Sequence, residues 1–572
     1  VKDSISQNVA INSGDIVFDD DFFSWSTVES AADKLADAFD MSETFIHFIG
    51  SMAEEFTVDT AKDLVAEGSE AVLGGIVLDN TTLHNTTEVA GDTVKDLVIG
   101  GTADGANSID ISMGFKNVAN AENVTITGGK EFVLVGGAEG DYHEEANKLL
   151  VDSANGGKVT AENGTFTMGS WGVLAPTKGW VAEVEIGAEG ALVTKNGEFG
   201  ADTLTNAGTT TITNGSTLHS QTVANTGMIA VEGNADFADL NNTGTVNVAG
   251  SGHLALTATD ELAGTVNNAG QVTQSGTTDI SGQYTSTGNG KGTFENASVS
   301  GTFTAETGTV NTFEHLSVAN GGTLENSGTL DATGAEGESA DTVALEVAEN
   351  GTFTNHGTVN NTEHTTSVLG SWTNNAVANL HSFFVGSTGS AVNNATETAK
   401  KVEVAEGGSY TNNKTANWTD ASIAGTSVNS EGGLTTIEGT LNVAQTGSYT
   451  NKGSFDATEG QVNVAGSFTN DNFAHFDRLG IAAGGQYVNN ASEDGDALTI
   501  AGSWTNNAES EWKSITVAEN GTTSFGKQAE TVTDKVTVAG GSLIVNAGVF
   551  ETKDADFASG VFVVGNNDTV NE

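Results

Sequence analysis

A five-residue segment returns down the chain at a fixed interval, and it limits the possible folds more than any other feature. Its clearest forms are Gly351-Thr352-Phe353-Thr354-Asn355, Gly370-Ser371-Trp372-Thr373-Asn374, Gly408-Ser409-Tyr410-Thr411-Asn412 and Gly447-Ser448-Tyr449-Thr450-Asn451. Gly466–Asn470, Gly485–Asn489 and Gly502–Asn506 are further copies, and Gly389-Ser390-Ala391-Val392-Asn393 is a degenerate one. From Gly351 to Gly370, Gly389 and Gly408 the step is 19 residues each time, and it is 19 again from Gly447 to Gly466 and Gly485. A constant period of this size with β-type content indicates stacked repeats, each unit burying its apolar face against its neighbours. Earlier glycines, from Gly208 to Gly301, keep a looser step.

A second signal precedes the glycine: an apolar-x-apolar-Ala segment such as Val402-Glu403-Val404-Ala405 or Leu441-Asn442-Val443-Ala444. Strand alternation points Val402 and Val404 inward and Lys401 and Glu403 outward. A third short strand follows the asparagine, as in Gly357-Thr358-Val359-Asn360. Three strands and three turns account for about 19 residues per coil, so the expectation is an all-β, elongated parallel β-solenoid, or β-helix. Four regions are expected. Residues 1–70 form a helix-containing cap or docking region, and 71–200 an irregular solenoid with loop inserts. Residues 201–550 carry the regular repeats, and 551–572 a last strand and acidic tail.

The cap rests on helical spacing. Ser26 and Glu29 form a capping box ahead of Val28, Ala32, Leu35, Ala36 and Phe39. Further helical stretches are expected at 42–56 and 60–66. The physical need is plain, because a stack of coils ends in unpaired backbone groups and exposed core. Between 71 and 200, Leu97–Ile99, Val124–Ile126, Phe132–Val135 and Val184–Ile186 read as strands, with loops around 142–146 and 169–180.

The formal net charge of −55, from 75 acidic and 20 basic residues, repels nucleic acid and anionic membranes. No nucleic-acid partner and no membrane insertion are therefore expected. Cysteine is absent, which excludes a thiol nucleophile or a cysteine metal site. No leader is visible at Val1-Lys2-Asp3-Ser4, so the chain reads as a mature form after signal removal.

Candidate chemistry is sparse. Ten histidines are scattered without a ligand-pair spacing, and no nucleophile elbow or phosphate loop appears. Asp19-Asp20-Asp21 lacks the spacing of a calcium loop and reads as a solvated turn. No cofactor is expected, calcium at that triplet being the one ion left open. Trp171 and Trp180, around Pro176, are candidate ligand contacts on a loop insert. Asn355, Asn374, Asn393, Asn412, Asn451, Asn470, Asn489 and Asn506 are read as a structural ladder of amides hydrogen-bonded along the stack. Facing outward they would instead offer a row to sugars. The aromatic two residues before each asparagine shares its strand face and is placed inside on the same argument.

The units Leu441–Asn451 and Val462–Asn470 resemble the β-helical repeats of bacterial secreted surface proteins, especially autotransporter passenger domains and related adhesins. The resemblance covers roughly residues 200–550. It implies a right-handed solenoid on or outside a Gram-negative cell. Autotransporters end in a membrane barrel, yet no run of amphipathic strands closes this chain, so either the barrel is cleaved off or the protein is anchored differently. The expected function is a non-enzymatic structural or adhesive surface rod, for which head-to-tail assembly into a filament is an option. Expected partners are further copies of the chain, or host or bacterial surface glycans or proteins. The alternatives are a polysaccharide-active lyase or hydrolase and a lectin-like adhesin.

Overall fold

The computed structural model describes residues 177–195 and 197–564 continuously, and before them a series of separate strands from Asp15–Asp19 to Thr165–Gly169. Side chains are described for residues 183–195 and 197–563. The chain divides into two compact units, Val1–Gly292 and Thr293–Glu572. Every described element is a strand, and every register given between strands is parallel. This is an all-β parallel solenoid with coils of about 19 residues.

In the second unit one coil shows how sequence becomes structure. Strand Ser409–Asn412 buries Tyr410 and Asn412, and strand Thr415–Ile423 buries Ala416, Trp418, Ala421 and Ile423. Alternation holds along each straight segment and breaks once, at Thr419-Asp420, where two neighbours both point outward and the strand bends. A coil therefore has three faces, each sending two side chains inward.

The turn into the motif strand is closed by a backbone bond from Gly408 N–H to the Ala405 carbonyl at 2.9 Å. Its third residue has positive φ: Gly407 at 88°, and Asn350 at 60° in the equivalent turn before Gly351. Those values suit a type II turn, which requires Gly or Asn there. The motif glycine itself answers a different constraint. A Cβ on Gly466 would be driven into the Ala444 and Gly447 carbonyls of the previous coil.

In the first unit, the strands in 71–200 include Thr93–Gly100, Asn120–Ile126, Glu131–Val135 and Thr177–Ile186. The last takes in 177–180, so the end of the expected insert is strand rather than loop. It adopts parallel register with Gly197–Asn206, whose alternation is already that of the repeats. The helical spacing at 42–56 and 60–66 gives way to strands Phe45–Ile49, Met52–Val58 and Asp63–Ala66. Asp15–Asp19, Phe45–Ile49 and Asp63–Ala66 form a small parallel sheet. Short apolar runs such as Phe45-Ile46-His47-Phe48-Ile49 fit either period, and their aromatic and β-branched content suits a pleated sheet. The helix expected from Ser26 to Phe39 lies outside the described residues.

Gly466→Ala is expected to cost about 1–3 kcal/mol through the carbonyl clash, whereas Thr469→Ala on the outer face stays within about 0.5 kcal/mol. Urea unfolding of the two variants checks this.

Candidate functional site

The most ordered polar feature lies inside the coils. In the second unit, Asn326, Asn355, Asn374, Asn393, Asn412, Asn429, Asn451, Asn470, Asn489 and Asn506 are all buried and stacked in register. Each Nδ2 donates to the Oδ1 of the next, at 2.8 Å for Asn355 to Asn374 and 2.9 Å for Asn393 to Asn412. The second N–H crosses to a backbone carbonyl of the next coil, as Asn393 does to Thr415 at 2.8 Å. The Oδ1 also accepts from the backbone two residues on, as Asn355 does from Gly357 N–H at 3.1 Å. Both donors and both acceptor sites of an amide are thereby occupied, which offsets its desolvation.

The row has definite ends. Asn326 stacks on Ala305, so its Oδ1 has no donor among the described residues. Asn506 stacks on Phe525 and its Nδ2 turns to Thr531 Oγ1 at 2.8 Å. In the first unit Asn206, Asn225 and Asn242 make a shorter row at 2.7 and 2.6 Å. There too the asparagine closes a strand just before a two-residue corner.

The aromatics of the motif are also inside. Phe353 stacks on Trp372 with ring centroids 4.3 Å apart, and Tyr449 on Phe468 at 4.8 Å. Ala391 and Ser427 interrupt the row. Phe383, from another face, fills in between Trp372 and Tyr410, at 5.4 and 6.3 Å.

The same packing encloses carboxylates that the sequence reading missed. Glu397 is fully buried and lies in register between Ala378 and Ala416. Its coil is small at Ala391 and Ala399, and the two large side chains of the next coil over those positions, Tyr410 and Trp418, turn their polar ends toward it. Tyr410 Oη donates to Glu397 Oε1 at 2.8 Å and Trp418 Nε1 at 3.4 Å, while Oε2 has no partner among the described residues. Glu493 repeats the pattern with Tyr487, Ser510 and Trp512 as donors. Here Gly495 makes the room, since a Cβ on it would meet the Trp512 ring. Burial pushes both carboxyls up to about 7, against the lowering effect of their donors. Asp260 in the first unit is also raised to about 7 by burial, opposed by the Leu240 N–H at 2.9 Å.

The outside is divided by charge. On the motif strands, ten consecutive coils from Thr352–Asn355 to Thr522–Phe525 present twenty outward positions, of which sixteen are Ser or Thr and none is charged. Charge sits on the neighbouring faces, in pairs such as Lys513–Asp496 at 2.5 Å and Lys553–Asp534 at 2.6 Å. One insertion, residues 333–342, departs from the regular coils. His364 and His315 hold it through Ser339 O at 3.0 Å and Glu338 at 3.3 Å.

Of the other sequence candidates, Trp180 lies in strand Thr177–Ile186 opposite Gly200. Asp19 ends strand Asp15–Asp19. Trp171, Asp20 and Asp21 lie outside the described residues. Among the described residues no group of three or more His, Cys, Asp or Glu is placed to hold a metal ion, and no helix is long and apolar enough to cross a membrane.

The fold and its interior rows define a class, a parallel β-solenoid with an internal asparagine ladder. No protein-family model and no curated protein matches the chain.

Two outcomes follow from this geometry. Asn412→Ala strands the Asn393 donor and the Asn429 acceptor inside the core. It is expected to cost about 2–4 kcal/mol in urea unfolding. The buried glutamates set a pH response. Their folded pKa of about 7 exceeds the ordinary 4.5, so between those values the folded chain holds protons that the unfolded chain has released. Stability is then full below pH 4.5, falls as pH rises toward 7, and levels off above, by about 3 kcal/mol for each group. Glu397→Gln with Glu493→Gln keeps the shape of the protonated form. Thermal unfolding from pH 4.5 to 8 should show a markedly flatter pH dependence for the double variant than for the parent.

Proposed function

We propose that the chain is an extracellular structural and adhesive surface protein, a stiff spacer on the outside of a Gram-negative cell. The observation that carries the reading is the unbroken internal ladder from Asn326 to Asn506. It consumes the amides along one interior row of coils and ties each coil to the next. Such a body resists bending and local opening, which suits spacing or presenting a surface rather than closing around a substrate. The acidic exterior favours solubility at high local density. The likeness of the repeats to autotransporter passenger domains supports the same placement.

In this reading the buried glutamates are core groups, because their donors enclose them and leave no face open to a substrate. Adhesion would use the outer faces or the loops, with surface glycans, proteins or further copies as partners. Negative-stain electron microscopy of the purified chain is expected to show a stiff segment of constant width in every particle, the solenoid of the second unit. Release of reducing ends or unsaturated sugars from a panel of neutral and acidic polysaccharides would overturn the reading in favour of a glycan-cleaving enzyme.

A further inference from the structure

The uncharged outer face of the motif strands is the most unusual surface of the second unit. A chain with 75 acidic residues places none on twenty consecutive outward positions there. The opposite face of each strand explains only the inward residues. Nothing about burying Tyr410 and Asn412 demands that Ser409 and Thr411 be small and neutral. On the neighbouring strands of the same coils, outward positions carry Lys400, Lys401, Glu403 and Asp420.

We infer that this face is the contact surface between two copies of the chain, packed sheet against sheet. Three features argue for a second copy. The first is charge. On neighbouring faces of the second unit, facing copies would bring carboxylates such as Glu403 and Glu511 together, whereas here two identical surfaces can touch without doing so. The second is shape. The outward side chains are Ser, Thr, three valines and Gln486, similar in height and in register along the stack. Sheets with such faces pack closely with side chains interleaved. The third is area. Ten strands about 4.8 Å apart, each about 13 Å across, present roughly 600 Å². Two such surfaces together bury about 1,200 Å², above the roughly 1,000 Å² that a specific interface needs. A two-fold arrangement makes the contact isologous, so the same rows serve both partners.

The charge on the remaining faces then acts against the contact. Association strengthens as salt screens that repulsion, the reverse of an interface held by ion pairs. This inference is independent of the surface-protein reading, since either can fail alone.

Sedimentation equilibrium of the full chain, at low salt and at about 0.5 M sodium chloride, tests it. A monomer–dimer equilibrium that tightens with salt is expected. Thr373→Glu with Thr411→Glu and Thr450→Glu, on coils that do not adjoin, should weaken the dimer at least tenfold and leave the melting temperature within a few degrees of the parent. Ser422→Glu on a neighbouring face should leave it unchanged. A chain that stays monomeric at every concentration and salt level overturns the inference, as does equal dimerisation of the triple variant. So does a monomer that binds a neutral polysaccharide through this face, lost in the triple variant.

Discussion

The amide-to-amide hydrogen bond between stacked asparagines is the interaction on which the second unit depends. It fixes register, and register fixes everything else in a parallel stack. The steps between successive members of the row are 17, 19, 22 and 29 residues, yet each pair still meets at 2.7–2.9 Å. Length variation is therefore absorbed in the corners. The 29-residue step between Asn326 and Asn355 spans the 333–342 insertion. The 22-residue step between Asn429 and Asn451 spans a coil whose long strand is split into Leu434–Ile437 and Thr440–Val443. A buried amide left unpaired is costly, so the coils align on the row and tolerate irregularity elsewhere.

That hierarchy explains what was legible. Wherever the whole motif survives, the sequence names the asparagine and the aromatic two residues before it. Asn326 and Asn429 occupy the same row without the motif aromatic: Leu324 and Ser427 stand there instead. The structure's register places them in the row. Glu397 was illegible for a different reason. Counting back from Val404 and Val402 by twos puts Glu397 outside. The bend at Lys400-Lys401, where both residues point out, shifts the phase by one and turns Ala399 and Glu397 inward. A period-2 argument holds only between corners, and nothing in the local composition marks this corner as a phase shift. In the same way, Phe45–Ile49 satisfied both helical and strand periods, and composition alone did not separate them.

The stack also has an electrostatic problem. Parallel coils in register bring equivalent side chains about 4.8 Å apart, so a carboxylate repeated in every coil would face its own copy. The chain meets this in three ways. Lysines are set one coil from aspartates, as with Lys553 and Asp534. Outer corners carry neutral amides that bond to one another, as in Asn394 to Asn375 at 2.8 Å and Asn413 to Asn394 at 2.7 Å. Carboxyls enclosed by the core, Glu397 and Glu493, are pushed up to about 7 by burial, against the lowering effect of their phenol and indole donors. Burial thus disfavours charge in the interior, and the corners are neutral by composition.

The outer face and the inner row are not separate designs. Along each four-residue motif strand, alternation gives two residues to the core and two to the surface. The inner pair, an aromatic or its substitute and an asparagine, holds the strand at one height in the stack. The outer pair inherits that height. A slip of one residue would send Ser409 and Thr411 inward and expose Tyr410 and Asn412, losing the amide row and the aromatic packing together. The cost of that exchange is what keeps the small hydroxyl side chains of successive coils in straight rows. Whatever meets the flat neutral face therefore meets a lattice whose spacing is set from inside, by hydrogen bonds it never touches.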